Sequence, residues 1–145
     1  MKKTILICGL AIFVLFAFKK NEPPEITVVK LAESSKSWNG ADLPPYSEGK
    51  PQVTVLKITI PPHTKLSVHK HLEINAGVLT KGELTVIDEK GDTLNLKAGD
   101  AIVEMVNAYH YGENKGSVPA EIIVFYAGVE GVPITVTKQN ENTEQ

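Results

Sequence analysis

Arginine is absent from this 145-residue chain: all 15 basic residues are lysine. An anionic ligand must therefore be held without the planar, bidentate guanidinium fork, which leaves lysine, backbone N–H groups or a metal ion to recognise it. Cysteine is nearly absent too. The single Cys8 lies in the N-terminal apolar run, which excludes a disulfide framework, a thiolate zinc site and a cysteine nucleophile in the body of the protein. Aromatic residues make up 6% of the chain, and the formal net charge is −2 with no long basic block, so nucleic acid is not an expected partner. What is present, 42% hydrophobic residues in 145, fits one domain with a real core and is too short for two. Chemistry must then come from His, Glu, Asp, Asn and hydroxyl groups.

Met1-Lys2-Lys3, the apolar run from Ile5 to Phe18 and the polar break at Lys19-Lys20-Asn21 have the order of an export signal. A helix over that run is about 21 Å long, short of the roughly 30 Å hydrocarbon core. Residues 1–20 are thus expected to be a signal peptide or, because Leu15 spoils the cleavage pattern, an uncut anchor that gives the chain its one membrane contact. Ile5, Leu6 and Ile7 do not supply the small residue expected before a lipidated Cys8. Without residues 1–18, 13 lysines face 17 acidic residues, and a mildly acidic, cysteine-free body suits a periplasmic or secreted location.

Residues 21–50 hold much of the Pro, Gly and Ser and read as an irregular arm with one strand over Glu25–Lys30; Trp38 and Tyr46 in it are expected to cap the body or to contact a second copy of the chain. From Gln52 onward, short β-branched runs alternate with turn signals: 53–60, 65–69, 76–80, 84–87, 93–96, 101–103, 122–126 and 134–137. Glu89-Lys90-Gly91-Asp92 reads as a hairpin turn. Eight or nine such strands with no amphipathic helix predict an all-β, antiparallel jelly-roll or closed barrel over 51–138, followed by a solvated tail, 139–145.

All four histidines, His63, His69, His71 and His110, fall in the strand-rich body. Residues two apart on a strand share a face, so His69 and His71 either converge on one ion inside a barrel or form a polar pair facing water. Glu104 sits in the apolar run 101–106 near His110. It is either buried beside the site, as a proton-transfer group or ligand, or turned to water at an edge. Tyr109 and Tyr111 bracket His110, so if the histidine points inward at least one of them is expected to face the other way, leaving Tyr126 as the candidate to line a cavity.

The spacing His63, His69, His71, Asn75, Gly82 resembles the first cupin motif, Gly-x5-His-x-His-x3–4-Glu-x6-Gly, and Gly99, Met105, Asn107, His110, Asn114 resembles the second, Gly-x5-Pro-x-Gly-x2-His-x3-Asn. His69, His71, Gly82, Gly99, His110 and Asn114 match in register. The resemblance implies a cupin jelly-roll barrel binding one divalent ion (iron, manganese, zinc, nickel or copper) through His69, His71 and His110. It puts Asn75 where the family has its acidic ligand; a neutral amide is a weaker donor, and Glu73 is a further candidate. His63, at a turn-glycine position, is expected at the rim. Three neutral imidazoles leave a bound ion its full double charge, which favours a small organic anion as ligand. Oxygenase, isomerase, decarboxylase and hydrolase chemistry all remain open, as does a non-catalytic binding or sensory module.

Overall fold

The structure, a computed structural model, describes residues 25–141; the expected signal at 1–20 and the end of the tail lie outside them. Ten strands follow in order: β1 (Pro51–Ile60), β2 (Thr64–Lys65), β3 (His69–Lys70), β4 (Ile74–Lys81), β5 (Glu83–Asp88), β6 (Thr93–Lys97), β7 (Ala101–Val103), β8 (His110–Asn114), β9 (Ala120–Val129) and β10 (Val136–Thr137). A single helical turn, α1 (Lys138–Glu141), occupies the start of the expected tail. One sheet has the order β1-β9-β4-β7; the other runs β10-β3-β8-β5-β6, with β2 pairing with β8. The strand pairings are antiparallel, and the two sheets enclose one core, as the jelly-roll reading requires.

Two-residue alternation decides what faces inward. Register places Leu56, Val124, Gly77 and Ile102 in one cross-strand row and Ile58, Ile122 and Leu79 in the next. Leu79, Ile102, Ile122 and Val124 are buried, and Leu84, Val86 and Leu96 meet them from the opposite sheet. A third inward row, Thr54, Tyr126 and Asn75, lies nearer the histidines.

The hairpin expected at 89–92 forms between β5 and β6, and the Asp88 carboxylate fixes it by accepting from the backbone N–H of Lys90 and Asp92, each at 2.9 Å. Gly82 turns β4 into β5 with φ +73°, and a Cβ there would stand 2.7 Å from the Pro119 carbonyl oxygen, so a side chain is excluded on two counts. His63 and Asn107 occupy two motif positions that are glycine in the family pattern. They are the non-glycine residues with positive φ among those described, at 54° and 57°. The left-handed turn survives the substitution because Asn and His tolerate that conformation better than most residues.

Two expectations fail. Residues 25–30 form no strand: Ile26, Val28 and Val29 have β propensity but no neighbouring strand to pair with, and propensity without a partner does not make a sheet. β8 has no counterpart among the expected runs because its inward positions are His110, Gly112 and Asn114, so the apolar alternation that marks a strand is missing. In the arm, Trp38 packs against the core and its backbone N–H donates to the Val103 carbonyl, whereas Tyr46 is exposed.

Candidate metal centre

His69 and His110 face each other across the β3–β8 pair, and His71 continues from β3 into an isolated bridge with Val106. The three rings come together with centroids 4.6–5.1 Å apart, and one donor atom from each lies within 4.8 Å of the others. His71 and His110 are buried. The inward orientation of the His-x-His pair is therefore the one adopted.

Each ring is anchored through Nδ1 to a backbone carbonyl: His69 to Ser67 at 2.7 Å, His71 to Ile134 at 3.1 Å and His110 to Ala108 at 3.1 Å. A carbonyl oxygen only accepts, so Nδ1 carries the proton in each neutral ring and the lone pair resides on Nε2. The Thr135 hydroxyl adds a second partner to His71 Nδ1 at 3.2 Å. Such outer bonds orient metal-binding imidazoles and fix their tautomer. Burial, with the neighbouring imidazoles, holds the His71 pKa down to about 3 against the pull of the Ile134 carbonyl. Burial likewise lowers His110 to about 4, opposed by the Ala108 carbonyl. Both rings are neutral near pH 7, the state a metal requires.

The four-stranded sheet supplies oxygen atoms. Glu104 follows β7 and its backbone N–H bonds the Asn75 carbonyl at 3.0 Å, which sets the two residues side by side on adjacent strands. Glu104 is buried, with Oε2 3.6 Å from His110 Nε2, and desolvation raises its pKa to about 7. Of the two orientations open to it, the buried one holds. Asn75 is 1% exposed; its Nδ2 donates to the Glu73 carbonyl and its Oδ1 has no partner. Glu104 Oε2 and His110 Nε2 are likewise buried without a partner. Orphaned buried polar atoms are rare in folded proteins, and two oxygens and an imidazole nitrogen are the donor types that divalent ions take. The residues fit a metal.

The other candidates are placed apart. Glu73 is buried and accepts from Ser47 Oγ at 2.6 Å, tying the arm to the barrel, and it does not belong to the histidine group. His63 is exposed on its turn. Tyr109 and Tyr111 lie beneath the ammonium groups of Lys70, Lys138 and Lys65 on the outside, as alternation around His110 demands. Tyr126 points inward, its ring 5.5 Å from that of His71, and burial raises its hydroxyl pKa despite a bond to Thr135. Thr135 thus supports both residues, a role that no spacing pattern announces.

The three histidines, Glu104 and Tyr126 line a cavity of about 60 Å³, room for a few waters or a ligand of a few heavy atoms. Its other walls are mainly aliphatic, among them Ile58, Leu66, Val86 and Val124, and no lysine among the described residues lines it.

Residues 56–126 match the family model described as the cupin domain. Among solved structures, an uncharacterized double-stranded β-helix protein from Klebsiella pneumoniae is 20% identical with a TM-score of 0.52, over 63% of this chain and 86% of that one. Oxalate decarboxylase from Lactobacillus farciminis, solved as a formate complex, is 18% identical with a TM-score of 0.55, over 64% of this chain and 28% of the enzyme. A DMSP lyase from Ruegeria pomeroyi is 16% identical with a TM-score of 0.52, over 61% of this chain and 44% of the lyase. At these identities the likeness is one of fold. No curated protein sequence matches the chain. The barrel formed by β1 to β9, which contains residues 56–126, is a cupin domain.

Proposed function

We propose that the protein is a metal-dependent cupin enzyme acting on a small organic anion, with His69, His71 and His110 as metal ligands and Glu104 as the proton-transfer group. The observation that carries this reading is the shared Nδ1-to-carbonyl anchoring, which leaves three Nε2 lone pairs for one ion. A divalent ion held there supplies a Lewis acid for a carboxylate or hydroxy-acid oxygen. Neutral imidazoles would cancel none of its charge, and among the described residues no lysine enters the cavity, so only Glu104, when ionised, would offset the ion's charge, and a small anion would match the rest. The mainly aliphatic walls offer water few partners, and the small volume favours a ligand of few atoms.

Glu104 is suited to receive a proton from such a ligand because its carboxyl is buried, unpartnered on Oε2 and poised near neutrality. Asn75 Oδ1 is the weaker oxygen donor beside it. The apolar run at 5–18 supports an exported location for this activity. Among the described residues no helix is long and apolar enough to cross a membrane.

The test is metal analysis of the purified protein and its single His→Ala variants, followed by a turnover screen on small carboxylates with wild type and Glu104→Gln. Metal content unaffected by all three histidine substitutions overturns the site. Metal and anion binding without turnover favours a binding or sensory module, for which the scarcity of other ionisable groups in the cavity also speaks.

A further inference from the structure

The segment after β9 reaches the histidines from beyond residues 56–126, which match the family model. β10 lies antiparallel to β3, with Val136 opposite Lys70 and Thr137 opposite His69, and the Lys138 N–H donates to the Val68 carbonyl at 3.0 Å. Antiparallel pairing carries the preceding residues past His71. Ile134 and Thr135 therefore meet its ring from behind: the Ile134 carbonyl oxygen stands 3.1 Å and Thr135 Oγ1 3.2 Å from Nδ1. Thr135 also bonds the Tyr126 hydroxyl. One exposed residue thus touches a buried imidazole and a buried phenol.

The protons in this chain of groups can be assigned in turn. His71 Nδ1 carries its proton, because the Ile134 carbonyl only accepts, so Thr135 Oγ1 is an acceptor toward the ring. The threonine proton is then available to its other side-chain partner, the Tyr126 oxygen. That leaves the phenolic proton directed into the cavity, which Tyr126 lines. The Nδ1 protons of His69 and His110 point away from it, to the carbonyls of Ser67 and Ala108. With Glu104 ionised, Tyr126 is the one side-chain donor among the described residues that line the cavity.

We propose that Tyr126 donates a hydrogen bond to a small anion held in the cavity, and that Thr135 is a positioning residue that aims this donor by tying the phenol to His71. The inference rests on the reading of the cavity as a metal-dependent anion site and adds the contact that selects the ligand. A metal ion attracts any anion small enough to enter, whereas a fixed O–H separates ligands with an oxygen opposite it from those without. The aliphatic remainder of the wall offers no substitute donor. Glu104 and Tyr126 thus ask different things of a ligand: the carboxylate receives a proton, and the phenol presents one while keeping it.

The test measures Co²⁺ affinity of the full chain by visible absorption and then acetate affinity of the Co²⁺-loaded protein by calorimetry. Tyr126→Phe should weaken acetate binding by at least about tenfold, the worth of a hydrogen bond to a charged group, with Co²⁺ affinity near wild type. Thr135→Val should weaken acetate as well, and Co²⁺ by about tenfold, the low end for an outer partner because the Ile134 carbonyl still holds Nδ1. Thr135→Ser returns the hydroxyl and should restore both affinities. Thr135 is exposed, so its variants keep the test valid if Tyr126→Phe fails to fold. Acetate bound equally by wild type, Tyr126→Phe and Thr135→Val overturns this inference and leaves the metal-dependent anion site standing. Loss confined to Tyr126→Phe, or loss in Thr135→Val that Thr135→Ser does not restore, overturns the positioning role. Co²⁺ uptake without acetate binding overturns the donor assignment, and a wild type that takes up no Co²⁺ overturns the metal reading and this inference with it.

Discussion

The two sheets bring different chemistry to the same cavity. β3 and β8, in the larger sheet, deliver imidazoles already bonded on their outer nitrogens, so donor direction is set by the fold before any ion arrives. The smaller sheet side delivers Glu104 to the cavity, with Asn75 beside it, and one side-chain oxygen of each is buried and unpartnered. One side is organised by bonds it has made, the other by bonds it has not. On the proposed reading, metal binding would rest on the nitrogen side, and proton chemistry and charge adjustment on the oxygen side.

The largest expected effect breaks the nitrogen side. His69→Ala, His71→Ala and His110→Ala should each weaken metal binding by more than about 100-fold, beyond the roughly 10–100-fold that loss of an outer bond to a ligand costs. Elemental analysis after dialysis against a weak chelator reads this directly. Should one histidine prove dispensable, the symmetry of the three anchored rings is misleading.

On the oxygen side, Glu104→Gln should retain the metal and lower turnover by about 10²–10⁴-fold, the usual contribution of a positioned proton-transfer group. Metal-free protein sharpens the contrast. Because the folded Glu104 pKa is raised from 4.5 to about 7, the folded state keeps a proton that the unfolded state releases, and stability falls as pH rises through that window. Urea denaturation should find metal-free Glu104→Gln more stable than metal-free wild type above pH 7, by up to about 3 kcal/mol. The difference should vanish below pH 4.5. His71 and His110 act in the opposite sense: their folded pKa values lie below 6.5, so the unfolded state takes up protons first and stability is lost as pH falls below 6.5. A pH profile unchanged by Glu104→Gln would place that carboxylate in water.

Smaller effects follow at Asn75 and His63. Asn75→Ala should lower stability by about 1–2 kcal/mol through its lost buried hydrogen bond yet leave metal content near wild type. Asn75→Asp should tighten metal binding by adding charge at nearly constant volume. A fall in metal content with Asn75→Ala comparable to a histidine loss would make the amide a ligand of equal weight. Least of all, His63→Gly should stabilise by up to about 1 kcal/mol, because it relieves a left-handed side-chain conformation at the cost of some chain entropy. Thermal unfolding resolves such a shift.

The histidines were legible in the sequence because strand alternation forces residues 69 and 71 onto one face, and the inward choice among its two orientations follows once the motif spacing supplies His110. The β5–β6 hairpin was legible through Glu89-Lys90-Gly91-Asp92, a run of local turn chemistry, while Asp88, whose carboxylate fixes the turn, was not singled out. β8 was hidden because a strand that lines a polar site loses its apolar period. Asn114 matched a motif position without revealing its work, which is to donate to the carbonyls of Ile60, Pro61 and Val118 and so hold two turns together. Glu104 was ambiguous because its burial depends on its alignment beside Asn75, a contact between residues far apart in the chain.

β9 carries Tyr126 toward the histidines and Phe125 toward the outer face of its sheet, one residue apart. Strand alternation makes those two assignments inseparable: sliding β9 by one position exchanges every inward and outward side chain. Changes to the cavity lining and to the outer surface can therefore accumulate independently by substitution, since neighbouring positions answer to different faces. Insertion or deletion of a single residue within 120–129 has no such freedom, for it corrupts both faces together. Length variation in this lineage is expected to collect in the turns, and a library built for new ligand preference should randomise alternate positions of β9 while leaving its residue count untouched.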